Sequence, residues 1–267
     1  MELQPMIIDL SGLNALICGS TAGIGKEVAM QMARCGASVT LVARDASKLE
    51  STLAELPRTS KQCHGTLQVD FSDPENLRKA LDRLMATGAV FHILVNNTGG
   101  PAAGKAIDSG TDAFLAAFNA HLVCNHLLAQ AVVPGMKKAG TGRIINIIST
   151  SVKQPLAGLG VSNTVRGAVA NWAKTLSVEL APFGITVNNV LPGATRTGRL
   201  SSIISGKAQR LGHSLDAVER EMLAEIPAAR FAEPWEVAVA VTFLSSPLAA
   251  YINGINLPVD GGRTGCL

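Results

Sequence analysis

The sequence has a single tyrosine, Tyr251, and no Cys-x-x-Cys pair. Its five cysteines, Cys18, Cys35, Cys63, Cys124 and Cys266, lie far apart. That spacing excludes a zinc cluster, leaves no metal site to expect, and predicts reduced, mostly buried thiols in a cytoplasmic protein. No apolar run approaches the roughly 18 residues of a membrane span, so no membrane partner is expected. Residues 1–10 carry Glu2 and Asp9 and lack the basic-then-apolar pattern of a secretory signal. Charge of one sign is scarce: 23 Lys and Arg face 20 Asp and Glu, a balance of +3 spread along the chain. That argues against a nucleic-acid partner. Internal repeats, low-complexity tracts and linkers are also missing.

What is present is a folded core. Hydrophobic residues make up 47% of the 267 positions and charged residues 16%, and one α/β domain over 1–267 accommodates that length. Short, near-continuous apolar runs predict strands at Leu13–Cys18, Ser38–Ala43, Gly65–Val69, Phe91–Val95, Arg143–Ile148, Thr186–Val190 and Ile255–Val259. Helix-period segments fall between them at Gly23–Cys35, from Asp73-Pro74, and at Thr111–Lys138, Ser162–Leu180 and Pro234–Leu244. This alternation predicts βαβ units and one doubly wound parallel sheet of about seven strands, with helices on both faces. Ligands of such sheets sit at the carboxyl ends of the strands, where strand order reverses.

Gly19-Ser20-Thr21-Ala22-Gly23-Ile24-Gly25 follows the first strand and opens the first helix. Glycines there let the backbone turn tightly and approach a pyrophosphate, which the helix N-terminus then receives. A plain strand-to-helix turn is the alternative reading.

With its Gly-x-x-x-Gly-x-Gly spacing the chain resembles a short-chain dehydrogenase/reductase. The resemblance continues at Asn96-Asn97-Thr98-Gly99, Gly142–Ser149, Gly184–Gly193, Ile226–Pro234 and Val259-Asp260-Gly261-Gly262, nearly the whole chain in the right order. It implies a Rossmann-type subunit, a nicotinamide cofactor, hydride transfer and a homodimer or homotetramer. The cofactor contacts it implies are Gly19, Ser20, Thr21, Gly23, Ile24, Gly25, Asp70, Phe71, Asn97, Thr98, Gly99, Pro192, Gly193, Thr195 and Thr197. The acidic position that selects NAD falls on Ala43, and Arg44 follows. A guanidinium there pairs with the 2′-phosphate of NADP, so the expected cofactor is NADP(H).

The resemblance fails in the catalytic set. Ser149 matches the family's serine, but the tyrosine falls on Ser162, the lysine on Arg166 and the asparagine on His121. Serine is a far weaker acid than a phenol, and arginine does not titrate usefully. His121 is the nearby group whose ordinary pKa, about 6.5, suits proton transfer; a packed helix histidine is the alternative. Arg166 is also similar to the arginine of halohydrin dehalogenases, but those enzymes keep the tyrosine and lose the glycine turn. Residues 198–225, where the family has a substrate lid, are rich in Leu and Ile. An apolar small-molecule carbonyl or alcohol is therefore expected, unless these residues pack on the core. The two functions that follow are an NADP(H)-dependent oxidoreductase with a non-standard acid–base site, and an NADP(H)-binding protein with little turnover.

Overall fold

Apolar runs and helical segments alternate along the chain. The computed structural model describes residues 7–59 and 61–266; the expected domain, 1–267, extends beyond them. The order is β1 (Asn14–Cys18), α1 (Gly23–Arg34), β2 (Ser38–Ala43), α2 (Ala46–Glu55), β3 (Gly65–Gln68), α3 (Pro74–Ala86), β4 (Ile93–Asn96), α4 (Thr111–Phe118), α5 (Cys124–Ala139), β5 (Gly142–Ile147), α6 (Gly160–Leu180), β6 (Ile185–Pro192), α7 (Gly198–Leu211), α8 (Leu215–Ala224), α9 (Pro234–Leu244) and β7 (Asn256–Val259). All neighbouring strands pair in parallel, in the order β3-β2-β1-β4-β5-β6-β7. Strand order reverses at β1, and its carboxyl end beside β4 is where a crevice opens.

Successive side chains alternate between the sheet's faces, and both faces are covered, so the strands read as unbroken apolar runs. Ala15 and Ile17 pack with Val28 and Met32 of α1 and Val237 and Val241 of α9. Leu16 and Leu94 pack on the other face with Leu77 of α3, Leu128 and Met136 of α5 and Ala173 of α6.

Side chains also join four strands. Asn96 Nδ2 donates to Asn146 Oδ1 (2.8 Å), Asn146 Nδ2 to Asn189 Oδ1 (2.9 Å) and Asn189 Nδ2 to Asn256 Oδ1 (2.8 Å). The four residues are register partners across β4 to β7, on the face that α5 and α6 cover. Parallel in-register pairing brings their Cβ atoms about one strand spacing apart, ~4.8 Å, which a side-chain amide bridges.

Several expectations need correction. The stretch Thr111–Lys138 is interrupted by a π-helical turn at Asn119–Val123. Residues 198–225 hold two helices, α7 and α8, and Ala46–Glu55 is a helix capped by Asp45, whose carboxylate accepts from Lys48 N at 3.1 Å. All five cysteines are free, but only Cys18 and Cys124 are buried, while Cys63 and Cys266 are exposed. Tyr251 is fully exposed, so it neither packs in the core nor stands in for a catalytic tyrosine. No helix of the described residues is long and apolar enough to cross a membrane.

Candidate active site

After Cys18 the chain turns into α1 through Gly19 (φ +58°), and α1 itself opens on Gly23 (φ +53°), both left-handed. A Cβ on Gly19 would lie 2.6 Å from the Asn97 carbonyl oxygen, and one on Gly25 only 2.2 Å from the Gly19 carbonyl oxygen. Close backbone contact thus demands glycine at both positions. Asn97 donates through Nδ2 to the Cys18 and Gly19 carbonyls, each at 3.3 Å, and fastens the turn to the end of β4. No side chain caps α1, whereas Asp73 caps α3. The first N–H groups of α1 and its positive dipole end therefore face outward, beside the partly buried Thr21 and Ile24. Ser20 departs from the expected role. Its side chain is wholly buried, accepting from Val42 N at 3.0 Å and donating to the Val42 carbonyl at 3.4 Å. A buried hydroxyl needs such partners, and these lock the turn to β2 rather than leaving Ser20 free for a ligand.

Beyond β2 an open cleft of about 630 Å³ is lined by Arg44, Asp45, Gln68, Val69, Asp70 and Asn76. Asp70 accepts from Ser72 N at 2.9 Å. That bond, and to a lesser degree the Arg44 charge, holds its carboxyl below the ordinary range. Asp45 is turned to the start of α2 and to Lys48, 3.7 Å away, and not to Arg44. Phe71 is half-buried against the α5 side, and its carbonyl accepts from Cys124 Sγ at 3.4 Å. Gln68 and Asn76 were not expected here. The strand period places Gln68 on the same face as Asp70, and Asn76 stands in the first turn of α3.

The other end of the crevice gathers the catalytic candidates. Ser149 follows β5; its Oγ accepts from Ser151 N at 3.1 Å and keeps its proton to donate. Ser162 and Arg166, one turn apart on α6, are 9% and 8% exposed. Arg166 Nη1 donates to the Ile147 carbonyl at 3.0 Å. His121 lies in the π-helical turn, is 2% exposed, and shares a 2.5 Å hydrogen bond between Nδ1 and Thr98 Oγ1. Such bulges widen one turn of a helix and often mark functional sites. Burial, then the charges of Arg166 and Arg199, push His121 down to about 3. This corrects the expectation that it titrates near neutrality: it is uncharged at working pH.

Arg199 was not anticipated. It stands in the first turn of α7, and its Nη2 donates to the Pro101 carbonyl at 2.6 Å. A Cβ on Gly100 would lie 3.3 Å from that guanidinium, whereas one on Gly99 would meet nothing. Burial, then the Arg199 charge, lowers Arg166 to about 10. Neither arginine has an acidic partner among the described residues, whose ion pairs all lie elsewhere. Nor do three His, Cys, Asp or Glu side chains gather among them to hold a metal ion.

The segment after β6 crosses the mouth of the crevice. Gly193 follows Pro192 and donates from its N–H to the Val259 carbonyl at 2.9 Å; a Cβ there would lie 2.7 Å from Asp260 Cα. Thr195 Oγ1 donates to the Gly193 carbonyl (3.1 Å) and Thr197 Oγ1 to the Thr195 carbonyl (3.2 Å). Thr197 also caps α7, and its methyl would lie 3.1 Å from a Cβ on Gly23, so it covers the glycine turn. Leu200, Ile204 and Val218 pack with Ile226 and Phe231, and Met222 and Leu223 lie against them. Leu200, Ile204 and Phe231 also line an open cavity of about 360 Å³ with Arg196, Thr197 and Glu219, so part of this apolar surface is open and part is closed on the facing helix.

This architecture has known counterparts. The profile of the family described as Enoyl-(Acyl carrier protein) reductase matches residues 19–264. A 3-oxoacyl-(acyl-carrier-protein) reductase of Vibrio cholerae is 31% identical over 96% of this chain and 98% of its own. The 7alpha-hydroxysteroid dehydrogenase of Escherichia coli K12 is 30% identical over 95% of this chain and 94% of its own. The structure of L-sorbose reductase from Gluconobacter frateurii, solved with NADPH and L-sorbose, superimposes with a TM-score of 0.91 at 29% identity, covering 98% of this chain and all of that one. Sequence match, strand order and glycine turn agree from end to end, and the chain belongs to the short-chain dehydrogenase/reductase family of oxidoreductases.

Proposed function

We propose that the chain binds NADP(H) and interconverts a small carbonyl compound and its alcohol. The residues present fit a nicotinamide dinucleotide. The glycine turn has no room for side chains within it, and the uncapped end of α1 receives an anion. Asp70, beside Arg44 in the open cleft, and Phe71 after it would hold the adenine half. The observation that carries the NADP assignment is Arg44, which lines the open cleft beside Asp70 with no carboxylate at position 43. When bound, the nucleotide supplies or accepts the hydride. The Ser149 hydroxyl donates to the substrate oxygen, and the Arg166 charge stabilises negative charge that develops there. His121 is neutral and Arg166 keeps its proton at neutral pH, so the product's proton comes from water.

Titration calorimetry tests the reading. NADPH should bind more tightly than NADH, and Arg44→Ala should remove roughly ten- to hundredfold of that preference, a charge-assisted contact of ~1.5–3 kcal/mol. Equal dissociation constants in the parent protein would sink it. One observation favours a second reading, nucleotide binding with little turnover: burial moves His121 down to about 3, away from the neutral range that suits proton transfer. Absence of NADPH consumption across a carbonyl panel, with binding intact, would select it. The proposal includes a homodimer or homotetramer, supported by Leu115, Phe118 and Val178, which α4 and α6 leave exposed. Light scattering should return at least twice the monomer mass.

A further inference from the structure

Arg166 and Arg199 are two guanidinium groups with no acid among the described residues to balance them. Arg166 is more than nine-tenths buried, and among the described residues only one of its five N–H donors, on Nη1, bonds to a protein acceptor, the Ile147 carbonyl. Arg199 occupies the first turn of α7, the end of a helix where the dipole opposes a cation. It is nevertheless held over Gly100 by its bond to the Pro101 carbonyl. The two charges are close enough to act on each other and on His121. Like charges brought together out of water are costly unless a counter-charge joins them. The chain supplies none among its described ion pairs, although it pairs Arg196, Arg230 and Arg263 with glutamates. In the proposed binding mode the phosphates of the nucleotide would be held by the uncapped end of α1 and by Arg44. Arg166 instead reaches the end of β5 at Ile147, two residues before Ser149, and Arg199 reaches the loop after β4 at Pro101.

We infer that the substrate is itself an anion, a small oxo- or hydroxycarboxylate whose carboxylate is held between Arg166 and Arg199. This rests on the proposed carbonyl/alcohol function and narrows its substrate class. It departs from the apolar substrate expected from the lid's composition, because two guanidinium groups without an acidic partner among the described residues favour an anion. A planar guanidinium matches a carboxylate through two parallel N–H···O bonds, which a ketone or an ester does not offer. Arg199 rides on α7, so binding of the carboxylate also ties the segment 198–224 to the strand ends.

The test is a calorimetric titration of the NADP+-loaded protein, which cannot reduce the probe. The probes are 2-oxobutanoate, 4-oxopentanoate and their methyl esters. At least one acid should bind roughly ten- to hundredfold more tightly than its ester, the range of a charge-assisted pair. Arg199→Gln should erase that gap and leave NADP+ affinity within about threefold, while Arg199→Lys should restore part of it. Esters that bind as tightly as acids, or no acid binding at millimolar concentration, would overturn the inference. So would an Arg199→Gln protein that keeps the gap and loses NADP+ affinity tenfold, since the charge would then serve the nucleotide. The same titration without nucleotide reads the gap independently. A parent protein that fails to bind NADP+ therefore refutes the earlier proposal, and the acid–ester gap still decides this one.

Discussion

A histidine buried beside two guanidinium groups has one charge state at working pH. His121 is depressed from an ordinary 6.5 to about 3, first by burial and then by Arg166 and Arg199. Between those values the unfolded chain binds a proton and the folded one does not. The stability that neutral His121 permits is therefore whole above about pH 6.5 and is lost as pH falls toward 3, by roughly 3 kcal/mol between pH 7 and pH 4. His121→Asn should lose correspondingly less over that interval, as urea unfolding midpoints will show. Parallel losses in both proteins would mean that other groups govern acid sensitivity. The same depression predicts a rate profile with no His121 inflection between about pH 5 and 8. The sequence made His121 a candidate by position, but its charge state depends on Arg199, a distant residue brought over the loop after β4. One local sign of Arg199 was legible: a cation in the first turn after the capping Thr197, against the dipole rule.

Glycine carries opposite meanings in two helices. In α1, Gly25→Ala would force a Cβ to 2.2 Å from the Gly19 carbonyl, so we expect at least about 2 kcal/mol of destabilisation and loss of NADPH binding. In α7, Gly206 is exposed and a Cβ there meets nothing within 4 Å. Gly206→Ala should stabilise by roughly 0.5–1 kcal/mol. Thermal unfolding of the two variants checks both signs, and a destabilised Gly206→Ala would show that α7 needs its flexibility to fold. The strands and long helices were legible in the sequence because burial on two faces imposes unbroken apolar runs and 3.6-residue stripes. α2 was not, since only Leu49 and Thr52 of its residues are fully buried. The π-helical turn was not legible either. Nothing local in Asn119–Val123 marks it; the pairing of His121 with Thr98 across the crevice does. α7 and α8 did carry legible caps, Thr197 and Ser214, and the stripe Leu200, Ile204, Ala208.

At the scale of the whole molecule, strand alternation made the doubly wound topology readable, and the glycine turn located its switch point. The set of strand registers was not readable, because it rests on residues brought together from distant parts of the chain. The asparagine ladder shows how those registers are policed. Its rungs come from Asn96, Asn146, Asn189 and Asn256, so most of the protein must be in place before all three bonds close. A strand docked one residue out of step turns its asparagine to the opposite face, into hydrocarbon, and strands the amides on either side. Each buried amide left unpaired costs about 1–3 kcal/mol. The ladder thus acts as a proofreading device: it adds little to a correct sheet and taxes every incorrect one. Asn146→Leu removes the central rung and should lower equilibrium stability modestly. Its larger effect should be on refolding from urea, with a new slow phase or aggregation from sheets that no longer reject a shifted strand. Stopped-flow refolding as clean as the parent's would show that the ladder only holds the finished sheet together and takes no part in choosing it.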